Sequence, residues 1–284
     1  MKFHHSTASI FIPDGKPVGM ALSRVTHLGI GAHQDDLEFM AFHGILTCFA
    51  RDDQWFGGVT CTDGAGSSRT GPYADFSNEQ MMEIRRKEQD TAAAVGHYGA
   101  MIQLDYPSRS VKGADKQHLT GDLLEILAVT RPEVVYTHNL ADKHDTHVGC
   151  ALRCLEALRR LPKADRPQKV YGCEVWRDLD WLVDSEKTPM PVSARPELAR
   201  ALNEVFATQI AGGKRYDLAV MGRRRANATF FDSHATDAAT ALSFAMDLTP
   251  LAHDDSLDIV SHVTGFIDRF KADVVANLRQ RLGA

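Results

Sequence analysis

Two short stretches concentrate groups that could bind a metal or move a proton. The first is Ala32-His33-Gln34-Asp35-Asp36-Leu37-Glu38. The second is Thr137-His138-Asn139-Leu140-Ala141-Asp142-Lys143-His144-Asp145-Thr146-His147. Together they contain four of the chain's thirteen histidines and five carboxylates. A His and an Asp three apart in a tight turn into a helix can face one cation, and His144 and His147 repeat that spacing. A catalytic zinc takes three protein ligands, commonly His with a carboxylate, and keeps one position for water. The cation lowers the pKa of that water to about 7, and a neighbouring carboxylate can take its proton. Adjacent aspartates suit this division, with one as ligand and the other as base.

The elements around these stretches must bring them together. Apolar runs at Val25 to Gly31, Trp55 to Thr62, Met101 to Tyr106, Glu133 to Thr137 and Val170 to Trp176 read as strands. Between them lie helical stretches at Leu37 to Phe49, Ser77 to Val95, Thr120 to Thr130 and Val148 to Leu161. Ser77 and Gln80 have the spacing of a capping box. Alternation of this kind predicts right-handed βαβ units, hence an α/β, Rossmann-like, mostly parallel sheet with helices on both faces. Sites in such sheets form at the carboxyl ends of the strands. Both histidine-rich stretches follow strands, so they share one edge, and they face each other if the strands are neighbours.

Length and composition set the frame. The chain has 284 residues, 44% hydrophobic and 24% charged, which fits one α/β domain and excludes a disordered or fibrous chain. We read residues 1–24 as an N-terminal arm and 25–284 as one domain, with a core over about 25–175 and a C-terminal extension over 176–284. Glu197 to Ile210 reads as a helix. Val260 to Leu282 reads as a long amphipathic helix, with Val263, Phe266, Ile267, Phe270, Val274 and Leu278 on one face. That face can pack on its own core or on a second copy, which leaves a homo-oligomer open. A net charge of −5 argues against nucleic acid as a partner. The five cysteines lack zinc-finger spacing, and Met1 to Ser9 has no signal-peptide core. A reduced, cytoplasmic protein without a membrane span is the expectation.

His33-Gln34-Asp35-Asp36-Leu37-Glu38, followed by Gly44, resembles the HPDDxE…G signature of the LmbE-like, or PIG-L, zinc-dependent N-deacetylases. His144-Asp145-Thr146-His147 resembles that family's HxDH motif. Arg85-Arg86-Lys87-Glu88 with Ala92, Ala93 and Gly96 is similar to its RxxE…AA…G helix. The resemblance covers roughly residues 25–175. It implies Zn2+ held by His33, Asp36 and His147, Asp35 as general base, and His144 polarising the acyl carbonyl. It implies Arg85 as a substrate or loop contact. The chain departs from the signature at Gln34, where the motif has proline, and at Thr146, where it has the aspartate that partners the preceding histidine. Asp142 and Asp145 are the nearby carboxylates that could replace it.

The activity implied is hydrolysis of an N-acetyl group from a small soluble amino-sugar glycoside or short oligosaccharide. The alternatives are an amidase acting on an amino-sugar thiol conjugate and a catalytically silent metal- or sugar-binding relative. A dinucleotide-binding oxidoreductase is disfavoured. Gly29-Ile30-Gly31 lacks the third glycine, and carboxylates stand where a pyrophosphate would lie. For substrate contacts, the loop Asp63 to Tyr73 and the residues Asp105, Arg109 and His234 are candidates, with Arg85. Trp176 and Trp181 could stack on a sugar or fill the core. Arg223-Arg224-Arg225 reads as a solvated turn or an anion site.

Overall fold

The computed structural model describes residues 1–113 and 117–283. Among the described residues, eight strands form one sheet: β1 Ser9–Phe11, β2 His27–Gly31, β3 Phe56–Thr62, β4 Ala100–Tyr106, β5 Val134–His138, β6 Lys169–Cys173, β7 Thr188–Pro191 and β8 Leu242–Asp247. Their order is β1-β4-β3-β2-β5-β6-β8-β7. The five central strands β4-β3-β2-β5-β6 are parallel, as the sequence rhythm predicts. The edges are antiparallel. β1 from the arm pairs with β4, and β7 and β8 from the C-terminal part extend the other side through β6. The chain therefore winds from β2 one way to β4, then returns to β5 and winds the other way. The carboxyl ends of β2 and β5 flank that reversal, where ligands of open α/β sheets bind.

The same residues form twelve α-helices around the sheet: α1 Val18–Ser23, α2 Asp36–Met40, α3 Phe42–Cys48, α4 Asn78–Val95, α5 Ser108–Lys112, α6 Gln117–Thr130, α7 Asp145–Arg160, α8 Pro196–Glu204, α9 Ala207–Ala211, α10 Tyr216–Phe230, α11 Thr249–His253 and α12 Ile259–Leu282. One core joins Leu28 and Ile30 of β2 to Leu123 and Leu127 of α6 and to Leu155 and Leu158 of α7. The second joins Leu37, Met40, Phe42 and Ile45 to Phe56, Tyr136, Leu202 and Phe206.

Local chemistry sets the element ends. Ser77 Oγ accepts the Gln80 amide at 3.2 Å and Gln80 Oε1 accepts the Ser77 amide at 2.8 Å, closing the expected capping box at α4. The helix expected over Leu37 to Phe49 is interrupted at Ala41. Gly44 lets α3 approach the sheet, because a Cβ there would lie 2.6 Å from Tyr136 Cε2 of β5. α12 forms over the range expected for it, Val260 to Leu282. Only Phe266 is buried, with Val263 packed against the core, while Ile267, Phe270, Val274 and Leu278 are exposed. The apolar face thus continues past the end of its own core.

Candidate metal and catalytic site

The turn after β2 is shaped by its own side chains. Asp36 Oδ2 accepts the His33 backbone amide at 2.6 Å, which folds the first carboxylate of α2 back over the histidine. Asp35, between them, takes a left-handed backbone with φ of 105°, a conformation that costs a non-glycine residue and that clusters at functional sites. Across from it, α7 begins after His144, and His147 lies one turn inside.

These elements converge on one point. His33 Nδ1 is 3.2 Å from His147 Nε2 and 3.3 Å from Asp36 Oδ2, and His147 Nε2 is 3.3 Å from Asp36 Oδ1. All three ligand atoms lie within 4.8 Å of one another. Two imidazole nitrogens and a carboxylate brought this close are a donor set suited to zinc or a similar divalent cation. Burial works against charge on His147, but Asp36 and Asp142 outweigh it and hold its pKa above the usual value. A bound divalent cation would take the place of that proton.

Asp142 anchors the set from behind. Its Oδ2 lies 3.5 Å from His147 Nδ1 and accepts the Trp176 amide at 3.1 Å, while Oδ1 accepts the His144 amide at 3.0 Å. It thereby turns Nε2 of His147 toward His33 and Asp36. Partners of this kind commonly contribute about 10–100-fold to metal affinity. Asp142→Ala should lower zinc affinity by about that factor in a competition titration against a chelator. Unchanged affinity would remove Asp142 from this role.

Asp142 does not replace the aspartate that the motif has at Thr146, since it holds the backbone of His144 and not the ring. His144 Nδ1 instead accepts the Thr146 amide at 3.3 Å. Burial, then the neighbouring His147 and His33, lower the His144 pKa to about 4. The ring is therefore neutral at neutral pH, with its proton on Nε2, a donor that a carbonyl oxygen can accept.

Asp35 has different surroundings. Burial raises its pKa to about 7, against the pull of Arg85 and with the push of Asp36. Its amide donates to Gln89 Oε1 at 3.2 Å, and Gln89 Nε2 donates to Glu38 Oε1 at 2.8 Å. Arg85, on α4, donates to Asp35 Oδ2 at 3.2 Å, to the Gln34 carbonyl, and to Glu88 Oε2 at 3.3 Å. It is 1% exposed and braces Asp35 while still lining the cavity. Removing a cation beside a carboxylate raises that carboxylate's pKa, commonly by about 1–3 units. A base must be ionised to accept a proton. Arg85→Met should therefore move the acid limb of the kcat/KM profile to higher pH by about that amount. A limb that stays in place would mean that Asp35 is not the titrating base.

A cavity of about 530 Å³ opens onto this cluster. His33, Asp35, Asp36, Arg85 and His144 line it, with Gly64, Gly66, Ser67 and Ser68 of the loop after β3. The C-terminal part adds Trp176, Gln209, Lys214, Tyr216, Arg223 and Arg224. Trp176 and Tyr216 meet edge to face with centroids 6.1 Å apart. Three expected substrate contacts are not among the lining residues. Asp105 is buried and ion-paired with Arg86. Arg109 is exposed on α5, where Ser108 and Lys112 face the cavity instead. His234 is exposed after α10. Sequence reasoning gave no role to His138. The structure stacks it on His147 with centroids 3.9 Å apart and puts its Nε2 3.3 Å from Asp36 Oδ2. Its place as the last residue of β5, on the edge that carries the site, was the available signal.

Residues 28–158 match the family described as PIG-L: GlcNAc-PI de-N-acetylase. That stretch of the chain is a PIG-L domain. Both loops of the His and Asp cluster and Arg85 fall within it. No curated protein sequence matches the chain. Solved structures do. The conserved protein TT1542 from Thermus thermophilus aligns at TM-score 0.59 and 18% identity, covering 78% of this chain and 94% of the other. N,N'-diacetylchitobiose deacetylase from Pyrococcus horikoshii aligns at 0.59 and 16%, covering 84% and 90%. GalB, the 4-carboxy-2-hydroxymuconate hydratase from Pseudomonas putida KT2440, aligns at 0.59 and 18%, covering 79% and 96%. Such identities show a shared fold. That fold carries both a deacetylase and a hydratase, so the reaction is decided by the site and not by the architecture. Among the described residues, no helix is long and apolar enough to cross a membrane.

Proposed function

We propose that the protein is a zinc-dependent N-deacetylase that removes an acetyl group from a small N-acetylated amino sugar. The observation that carries this reading is Asp35 lining one cavity with His33 and Asp36, which cluster with the buried His147 behind them. A bound divalent cation supplies Lewis-acid polarisation and lowers the pKa of water to about 7. The chain supplies the rest. Asp35, held by Arg85 and Gln89, accepts a proton from the attacking water. The His144 Nε2 proton hydrogen-bonds the carbonyl oxygen as negative charge develops on it. When the C–N bond breaks, Asp35 returns its proton to the amine nitrogen, leaving acetate and a free amino sugar. Trp176 and Tyr216 offer flat apolar faces for the ring.

A second reading has one observation in its favour: GalB aligns as well as the deacetylase does. Addition of water to a conjugated unsaturated acid can use a general base such as Asp35, with a cation to polarise the conjugated carbonyl. A panel of N-acetylglucosamine, N,N'-diacetylchitobiose and 4-carboxy-2-hydroxymuconate separates the two. Amine release from the acetylated sugars that a chelator abolishes supports deacetylation. Loss of the muconate chromophore without amine release overturns it.

A further inference from the structure

α10 carries Arg223, Arg224 and Arg225, the triplet that reads from sequence as a solvated turn or an anion site. The structure gives each a separate environment. Arg225 reaches the Thr240 carbonyl, and Arg223 donates to the Val175 carbonyl. Arg224 is 2% exposed and lines the cavity. Its Nη2 donates to the carbonyls of Glu38 and Phe39 at 2.8 and 3.1 Å, and its Cζ stands 4.6 Å from the centre of the Phe42 ring. Its Nε and Nη1 are buried without an acceptor. The nearby Glu174 is already committed. Its Oε1 accepts Asn227 Nδ2 at 2.6 Å and the Phe244 amide at 3.0 Å, and its Oε2 accepts the Leu179 amide at 3.3 Å.

The imbalance extends along the wall. Lys112, Lys214, Arg223 and Arg224 all line the cavity, as do the carboxylates Asp35, Asp36 and Glu174, but among the described residues none of these four cations is ion-paired to a carboxylate. Lys214 Nζ instead lies 5.0 Å from the centre of the Trp176 ring. The chain as a whole carries −5, so this is a local concentration and not a reflection of composition. A buried guanidinium with donors to spare calls for an acceptor, and an anion answers both its charge and its open N–H groups.

We propose that Arg224, with Arg223 and Lys214, forms an anion subsite for a carboxylate or phosphate on the part of the substrate that is not hydrolysed. As a statement about substrate it rests on the deacetylase reading, but anion binding itself does not. If Arg224 served only to brace α2, its Nη2 bonds would suffice, and its loss would change stability without changing the preference between charged and neutral ligands.

The test has two arms, each run on the zinc-loaded full chain. In the first, inorganic phosphate and malonate are titrated calorimetrically into wild type, Arg224→Lys and Arg224→Gln. Binding by wild type should weaken at least about tenfold in Arg224→Gln, as expected for a lost charge-assisted hydrogen bond, and less in Arg224→Lys. In the second, kcat/KM is compared for N-acetylglucosamine, N-acetylglucosamine 6-phosphate and N-acetylmuramic acid, so that phosphate and carboxylate are told apart. Wild type should favour at least one charged sugar by about tenfold or more, and the ratio should collapse toward one in Arg224→Gln. Should Arg224→Gln fail to fold, Arg224→Lys and Lys214→Gln carry both comparisons. No anion binding by wild type, or binding insensitive to Arg224 and Lys214, overturns the subsite. Arg224-dependent anion binding with no amine release from any sugar supports the subsite and overturns the deacetylase reading instead.

Discussion

Asp35→Asn loses turnover by about 10²–10⁴-fold and keeps its metal. The substitution is nearly isosteric. The backbone amide at this position still reaches Gln89, and the three candidate ligands His33, Asp36 and His147 are untouched. What disappears is a carboxylate beside the candidate ligands whose pKa, raised to about 7 by burial, matches the task of taking a proton near neutrality and giving it back. A carboxamide side chain can do neither. Amine release and elemental analysis on the same preparation check both halves. Near-normal kcat would assign the base elsewhere. Lost zinc would mean that Asp35 is a ligand or holds one.

His147→Ala has the opposite signature: metal and activity vanish together. His147 is fully buried and stacked between His138 and His144, with centroids 3.9 and 4.5 Å away. It is also the nearest partner that α7 offers Asp36. Removing one member of a buried charged pair commonly costs about 3–5 kcal/mol, so the variant should melt early as well as empty. Zinc content and a thermal melt followed by circular dichroism measure the two losses. A variant that retained wild-type zinc would remove His147 from the ligand set.

The central strands and the two loops that carry the His and Asp cluster were legible because each rests on local chemistry. Hydrophobic runs mark β2 to β6, Ser77 and Gln80 mark the start of α4, and HxxD and HxxH mark turns into helices. The edges were not legible. β1 is three residues long in an arm that reads as extended chain. β7 contains Pro189 and Pro191, which suit an edge strand and disguise it in sequence. The cavity wall was half legible. The loop after β3 was expected, but Tyr216, Gln209 and Arg224 reach the site only through the packing of α9 and α10, which no spacing along the chain reports. Asp105 shows the converse. It ends a strand on the right edge, yet Arg86 claims it. The state of His144 turned on a backbone amide, since Thr146 offers its N–H where the motif offers a carboxylate.

β2 and β5 lie side by side, but His33 and His147 are 114 residues apart along the chain. A cation held by both is therefore a cross-link as well as a reagent. A covalent tie across a loop of that order removes chain entropy from the unfolded ensemble worth roughly 4.7 kcal/mol. A ligand that binds only the folded chain stabilises it by mass action. The same three side chains proposed to serve the reaction would then form a clasp over the middle of the sheet. Starving the protein of metal would then shorten its lifetime as well as silence it, which ties its abundance to the supply of the ion.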